Sequence, residues 1–169
     1  MEINASPKYD MSDNPTGCCP RFNTEGWDDQ DLHFKDKLFV KADSRSIFHF
    51  PINIASVFEK TSSAIEKAGA WPPEQCIILT YDQSAWREEH LFAVTKEVPG
   101  QNMLHLSGDY LTKVFEGPYK DAPKWEKEME ALVEGKGKQA KKVYFFYTTC
   151  PKCAKFYGKN YVVAVAEVE

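Results

Sequence analysis

A chain of 169 residues has room for one compact domain or two small repeated modules, and not for separate cofactor and substrate lobes. With 43% hydrophobic, 27% charged and 14% aromatic residues it is globular in composition and can bury a core, which excludes disorder throughout. The formal charge of −4 offers no general attraction to phosphate backbones or anionic lipid, so neither nucleic acid nor membrane is an expected partner.

The opening Met-Glu-Ile-Asn-Ala-Ser lacks the basic end and apolar run of an export signal, and no stretch of about 18 apolar residues follows, so the chain reads as cytoplasmic. Five cysteines, Cys18, Cys19, Cys76, Cys150 and Cys153, then argue for reduced thiols, a metal or redox chemistry before structural disulfides.

Residues 1–37 carry eight acidic and four basic side chains, are rich in Asn, Asp, Pro and Gly, and show no helical or strand period. They read as an irregular acidic arm. Its Phe22, Trp27 and Phe34 predict that parts of it dock on the body, because a freely solvated tail gains nothing from such side chains.

The body, 38–169, divides into similar halves, 38–99 and 100–169. Setting Pro118 over Pro51 aligns Phe115 with Phe48, Trp125 with Phe58, and Glu126-Lys127 with Glu59-Lys60 without a gap. Each half is predicted to run strand, helix, strand, strand. In the first, Ser46 to Phe50 is extended, Ile54 to Ala68 is helical with Ile54, Phe58 and Ile65 on one stripe, and Cys76 to Tyr81 and His90 to Val98 are strands. In the second, Tyr110 to Glu116 is extended, Ala122 to Glu134 is helical, and Val143 to Tyr147 and Tyr161 to Val168 are strands. The fold class expected is α+β: a tandem duplication of a β-α-β-β module, with an antiparallel sheet and two helices. Pairing two such units is the economical way to bury their bare sheet faces, and it predicts a cleft along the seam.

The second half, from Leu-Ser-Gly-Asp-Tyr through Val114 to Tyr119 with its Gly117-Pro118-Tyr119, resembles the gyrase-inhibitor-like (GyrI-like) small-molecule-binding family over roughly residues 38–169. The resemblance implies the duplicated SHS2-type fold and an aromatic-lined ligand cleft between the repeats. It implies drug-sensing roles or, in some members, hydrolysis of strained rings in genotoxic compounds. With its Cys-Cys-Pro-Arg-Phe and Thr-Thr-Cys-Pro-Lys-Cys segments, the whole chain is also similar to stand-alone microbial proteins labelled hydrolases.

The repeat offset pairs His49 with Glu116, each just before the turn into its helix. Glu116 is the expected general base, with His49 as acid or orienting donor and Glu97 in reserve; the competing reading makes both ordinary strand-end side chains. Tyr81, Trp86, Tyr110, Tyr119 and Tyr147 fall at strand ends and are the expected ligand wall, while Trp125, Phe58, Phe48 and Phe115 are assigned to the core.

Cys150-Pro-Lys-Cys153 imitates a thioredoxin opening, but too few residues follow it for that fold. In a hairpin loop the two thiols can instead grip a metal, and Cys18 and Cys19 would complete a tetrahedral, structural site for zinc. A reversible dithiol or a labile disulfide between arm and loop is the rival state. Cys76, in an apolar strand, reads as inert.

Three functions stay open: a small-molecule hydrolase requiring no cofactor, a non-catalytic sensor or sequestering protein, and a thiol- or metal-responsive module.

Overall fold

The computed structural model describes residues 1–169. Seven strands and three helices follow the irregular start: β1 (Asp31–Ile47), β2 (Phe50–Pro51), α1 (Ile54–Ala68), β3 (Ile78–Ser84), β4 (Arg87–Ala93), β5 (Asn102–Glu116), α2 (Ala122–Gly135), β6 (Ala140–Tyr147), α3 (Pro151–Tyr157) and β7 (Tyr161–Val168). All strand pairings are antiparallel. The order is β2-β1-β4-β3-β6-β7-β5, and a further pairing of β1 with β5 closes the sheet into a barrel. Apart from the short β2, residues up to 93 supply β1, β4 and β3, and residues from 102 supply β5, β7 and β6. No helix is long and apolar enough to cross a membrane.

Alternation of side chains sorts the strands onto two faces. Leu79, Leu91, Ala93, Tyr110, Tyr144, Phe146, Val163 and Val165 point inward, while Phe92 faces α1, and Phe145, Val162, Ala164 and Ala166 face α2. In β1 the parity changes. A bulge between Phe34 and Lys37, with Asp36 at φ 50°, lets Leu32, Phe34 and Phe39 all face inward.

Each helix lies outside the barrel on its apolar stripe. Thr61 and Ile65 are the buried residues of α1, and Trp125, Met129 and Val133 those of α2. Gly117, the first residue of Gly-Pro-Tyr, has φ 150°, and a Cβ there would meet the Trp125 ring at 3.2 Å, so its lack of a side chain admits that ring. Trp125 in turn stacks on Phe115 at 5.6 Å.

Local expectations differ from the structure at several places, and Cys76, expected within a strand, lies two residues before β3. Strand β1 begins at Asp31, inside the segment read as irregular, because its bulge interrupts the period that would have marked it. Phe48, assigned to the core, is 69% exposed beside Trp86, since the chain turns back at Phe48-His49 to pair Ile47 with Phe50. The loop between β6 and β7 contains a short helix, started by Pro151 behind Cys150 and ended by Gly158 at φ 70°.

The arm closes one end of the barrel. Trp27 is fully buried and Phe22 nearly so; they pack on each other and on Phe146. Trp27 donates its indole N–H to the Lys8 carbonyl at 3.0 Å, and the Asp28 carboxylate accepts the Val114 N–H at 2.8 Å. Part of the space between the two halves is therefore filled by the chain's own aromatic side chains.

Candidate functional site

Strand β4 begins at Arg87, three residues before the expected start, and this brings Glu88 and Glu89 into the sheet. Alternation then places Glu88 and His90 on the outer face with Phe92. His90 is fully buried; its Nε2 lies 2.7 Å from Ser44 Oγ and its Nδ1 2.9 Å from Thr80 Oγ1, and the Phe58 ring meets it edge-on at 4.9 Å. Burial lowers its pKa to about 4, so the ring is neutral at pH 7, with one nitrogen donating and the other accepting.

Glu88 Oε2 is 3.8 Å from His90 Nε2, and its side chain is 13% exposed. Burial raises its pKa to about 7, with the Asp82 charge adding to the rise and His49 opposing it. Glu88 and Asp82 are direct cross-strand partners, an arrangement of like charges that favours protonating one of them. Asp82 Oδ2 lies 2.6 Å from His49 Nδ1. Tyr147 lies near both carboxylates, and burial first, then Glu88 and Asp82, holds its hydroxyl protonated.

His49 reaches Asp82 from a two-residue turn in which Phe48 has φ 47° and His49 φ 69°. Such a turn requires positive φ at both central residues and favours Asn and Gly; two bulky side chains there are strained. The result is a cluster of Glu88, Asp82, His49, His90 and Tyr147 on the outer face, beside the exposed Phe48 and Trp86 rings, 5.1 Å apart.

A second constellation occupies the barrel interior. Tyr81 and Tyr144 lie 5.9 Å apart, and the Lys142 ammonium sits 4.1 Å from the first ring centre and 5.2 Å from the second. Glu89 is buried here, and Glu89, Glu167 and Tyr110 all help raise the Tyr144 pKa after burial itself. The buried Tyr110 hydroxyl has no hydrogen-bond partner, and neither does Asp43 Oδ1.

The residues expected to form one ligand wall are thus divided. Tyr81 and Tyr110 face inward, Tyr147 joins Glu88, and Trp86 is exposed beside Phe48. Tyr119 packs on Tyr147 at 5.8 Å and donates its hydroxyl to the Thr149 carbonyl at 2.6 Å. Glu116 and His49 are not brought together, because antiparallel β1 and β5 carry them out by opposite ends of that strand pair. Glu116 instead lines a shallow depression of about 390 Å³ with Pro118, Lys155, Lys159 and Asn160. Glu97 is exposed in the loop after β4. Another depression, of about 640 Å³ along α1, holds none of the expected residues.

Cys18, Cys19, Cys150 and Cys153 do converge, with all four sulfurs within 4.8 Å of one another. Cys76 stands apart as a partly buried thiol whose pKa burial raises to about 11.

Glu88, Asp82 and Tyr144 were missed by the sequence reading. The available signal was Glu88-Glu89-His90 at the head of an apolar strand, where alternation must turn one carboxylate toward each buried face.

No curated protein matches the chain. Among solved structures, a hydrolase from Listeria innocua superposes with a TM-score of 0.57 at 12% identity, over 84% of this chain and 92% of that one. An uncharacterized conserved protein from Listeria innocua gives 0.62 at 10% identity with the same coverage, and both likenesses concern the fold alone. A family model described as "Bacterial hydrolase" matches residues 9–168, nearly the whole chain, and the protein therefore belongs to that family.

Proposed function

We propose that the chain hydrolyses a small aromatic or amphiphilic compound, with the chemistry at the outer cluster around Glu88. The observation that carries this is a shielded carboxyl with a pKa of about 7 beside the His49–Asp82 pair. Such a group is half ionised at neutral pH, so it can take a proton from water and return it to a leaving oxygen. Asp82 fixes the His49 ring, which orients the water or donates to the departing group. Tyr147, held protonated, can donate a hydrogen bond to developing negative charge. The exposed Phe48 and Trp86 rings offer a platform for a planar substrate.

We further propose that the chain is a GyrI-like protein built from two SHS2-type repeats. The support for this is the strand-helix-strand-strand order that the two halves share once the two-residue β2 and the short α3 are set aside, together with the role of Gly117 in Gly-Pro-Tyr. A second reading, binding without turnover, is favoured by the barrel interior. There the unpartnered Tyr110 hydroxyl, the Tyr81 and Tyr144 rings and two carboxylates suit a ligand with a cationic or hydrogen-bonding head, and Lys142 holds the place of that head.

The test is turnover of a panel of electrophilic aromatic compounds by wild type, Glu88→Gln, His49→Ala and Glu116→Gln. Loss of a general acid–base predicts a fall of about 10²-fold or more for Glu88→Gln. Undiminished turnover by that variant would refute the assignment, and loss confined to Glu116→Gln would move the chemistry to the depression beside Gly117. Binding by all variants with turnover by none would favour sequestration.

A further inference from the structure

The arm that plugs the barrel passes the β6–β7 loop at the four converging cysteines. Gly17, at φ 69°, turns the chain just before Cys18 and Cys19, so that these adjacent residues present both sulfurs to one side, 3.8 Å apart. That separation is far too long for a disulfide, which needs about 2.05 Å. It matches the edge of a tetrahedron of sulfurs around a zinc ion, which for a Zn–S bond of about 2.3 Å is roughly 3.8 Å.

The surroundings suit thiolate ligands. The Cys150 N–H points at Cys19 Sγ at 3.4 Å, and the Cys153 N–H at Cys150 Sγ at 3.5 Å. Such backbone donors stabilise negative sulfur and fix its direction, the support that orients metal ligands. The arm is also held here without the sulfurs: Tyr157 donates its hydroxyl to the Cys19 carbonyl at 2.6 Å, and the Arg21 guanidinium lies over the Tyr157 ring at 4.7 Å. Lys152, Lys155 and Lys159 are close in sequence to the CxxC cysteines, while the Arg21 guanidinium pairs with the Asp13 carboxylate at 2.9 Å.

We infer that Cys18, Cys19, Cys150 and Cys153 bind one zinc ion as a closed structural site, and that this ion clamps the arm to the barrel so that Phe22 and Trp27 stay seated. Four sulfur ligands leave no open position for substrate, so the ion acts on the fold and takes no part in the reaction at Glu88. Zinc at these cysteines is therefore independent of whether Glu88 hydrolyses a substrate.

The test is elemental analysis of the full chain, expressed with added zinc and purified without chelator. The expected result is one zinc per chain, lost in Cys153→Ser and kept in Cys76→Ser. Cobalt added to stripped protein should give the intense visible bands of a tetrahedral thiolate site. Chelation should lower the melting temperature by roughly 10 °C or more and expose Trp27, read as a red shift of tryptophan emission that is absent in Trp27→Phe. The cobalt spectrum of wild type answers the question even if Cys153→Ser fails to fold. Metal-free protein with four freely reactive thiols, a Cys150–Cys153 disulfide by mass spectrometry, or bound iron in place of zinc would overturn the assignment.

Discussion

Replacing Glu88 with Gln should stabilise the protein, whatever it does to the proposed hydrolysis, and the size of the gain follows from the charge that Glu88 is made to carry. Glu88 is raised from the usual 4.5 to about 7, so ionising it in the folded state costs about 3 kcal/mol more than in the unfolded chain. A raised folded pKa contributes stability that is complete below about pH 4.5 and is lost as pH rises through about 7. His90 acts with the opposite sign. Its pKa falls from 6.5 to about 4, so its contribution is complete above pH 6.5 and is lost as pH falls toward 4. In wild type the two slopes oppose each other between about pH 4.5 and 6.5. Glutamine keeps the shape of Glu88 without the charge. At pH 8.5 the variant should be more stable by about 3 kcal/mol, a rise in melting temperature of roughly 6–12 °C for a chain of this length. Below pH 4.5 the two proteins should coincide, and the variant should show only the His90 slope. Urea unfolding of both proteins from pH 4 to 8.5 reads this directly. Equal stability at pH 8.5, or parallel pH curves, would refute the claim that Glu88 is a desolvated carboxyl in a costly position.

Asp82→Asn removes the like charge facing Glu88, so the pH–rate profile of any turnover should move to lower pH, by less than the burial contribution, which is the larger cause of the rise. An unmoved profile would separate Asp82 from the reacting carboxyl. Trp27→Ala should destabilise the chain by about 3–5 kcal/mol, measured by denaturant unfolding, because a fully buried indole is deleted from the plug. A cost below about 1 kcal/mol would show that the arm does not contribute to the core. Tyr110→Phe deletes a buried hydroxyl that has no partner, so it should leave stability unchanged or raise it by about 1 kcal/mol, while weakening any ligand held inside the barrel, read by calorimetry.

Much of the order of elements was legible along the chain. Apolar stripes at helical spacing marked α1 and α2, and the two hydrophobic runs at 143–147 and 161–168 marked β6 and β7, because burial of one face leaves its period in the sequence. The docking of Phe22 and Trp27 was legible for the same reason, since large aromatic residues in a polar segment need a place to be buried. The cysteine grouping was also legible, from residue type and spacing, although 131 residues separate Cys19 from Cys150.

Which residues meet at the site was a different matter. The alignment of His49 with Glu116 rested on repeat position, but antiparallel pairing of β1 with β5 sends their ends apart, and only the folded sheet sets Asp82 beside His49. A start of β4 three residues earlier than expected decided that Glu88 faces outward and Glu89 inward, since one step along a strand reverses the face. Residue identity determined what each side chain could do, a carboxyl to carry a proton or a thiol to hold a metal. Strand register and barrel closure decided which of them are shielded from water and which charges they meet, and those are the conditions that move the Glu88 pKa to about 7.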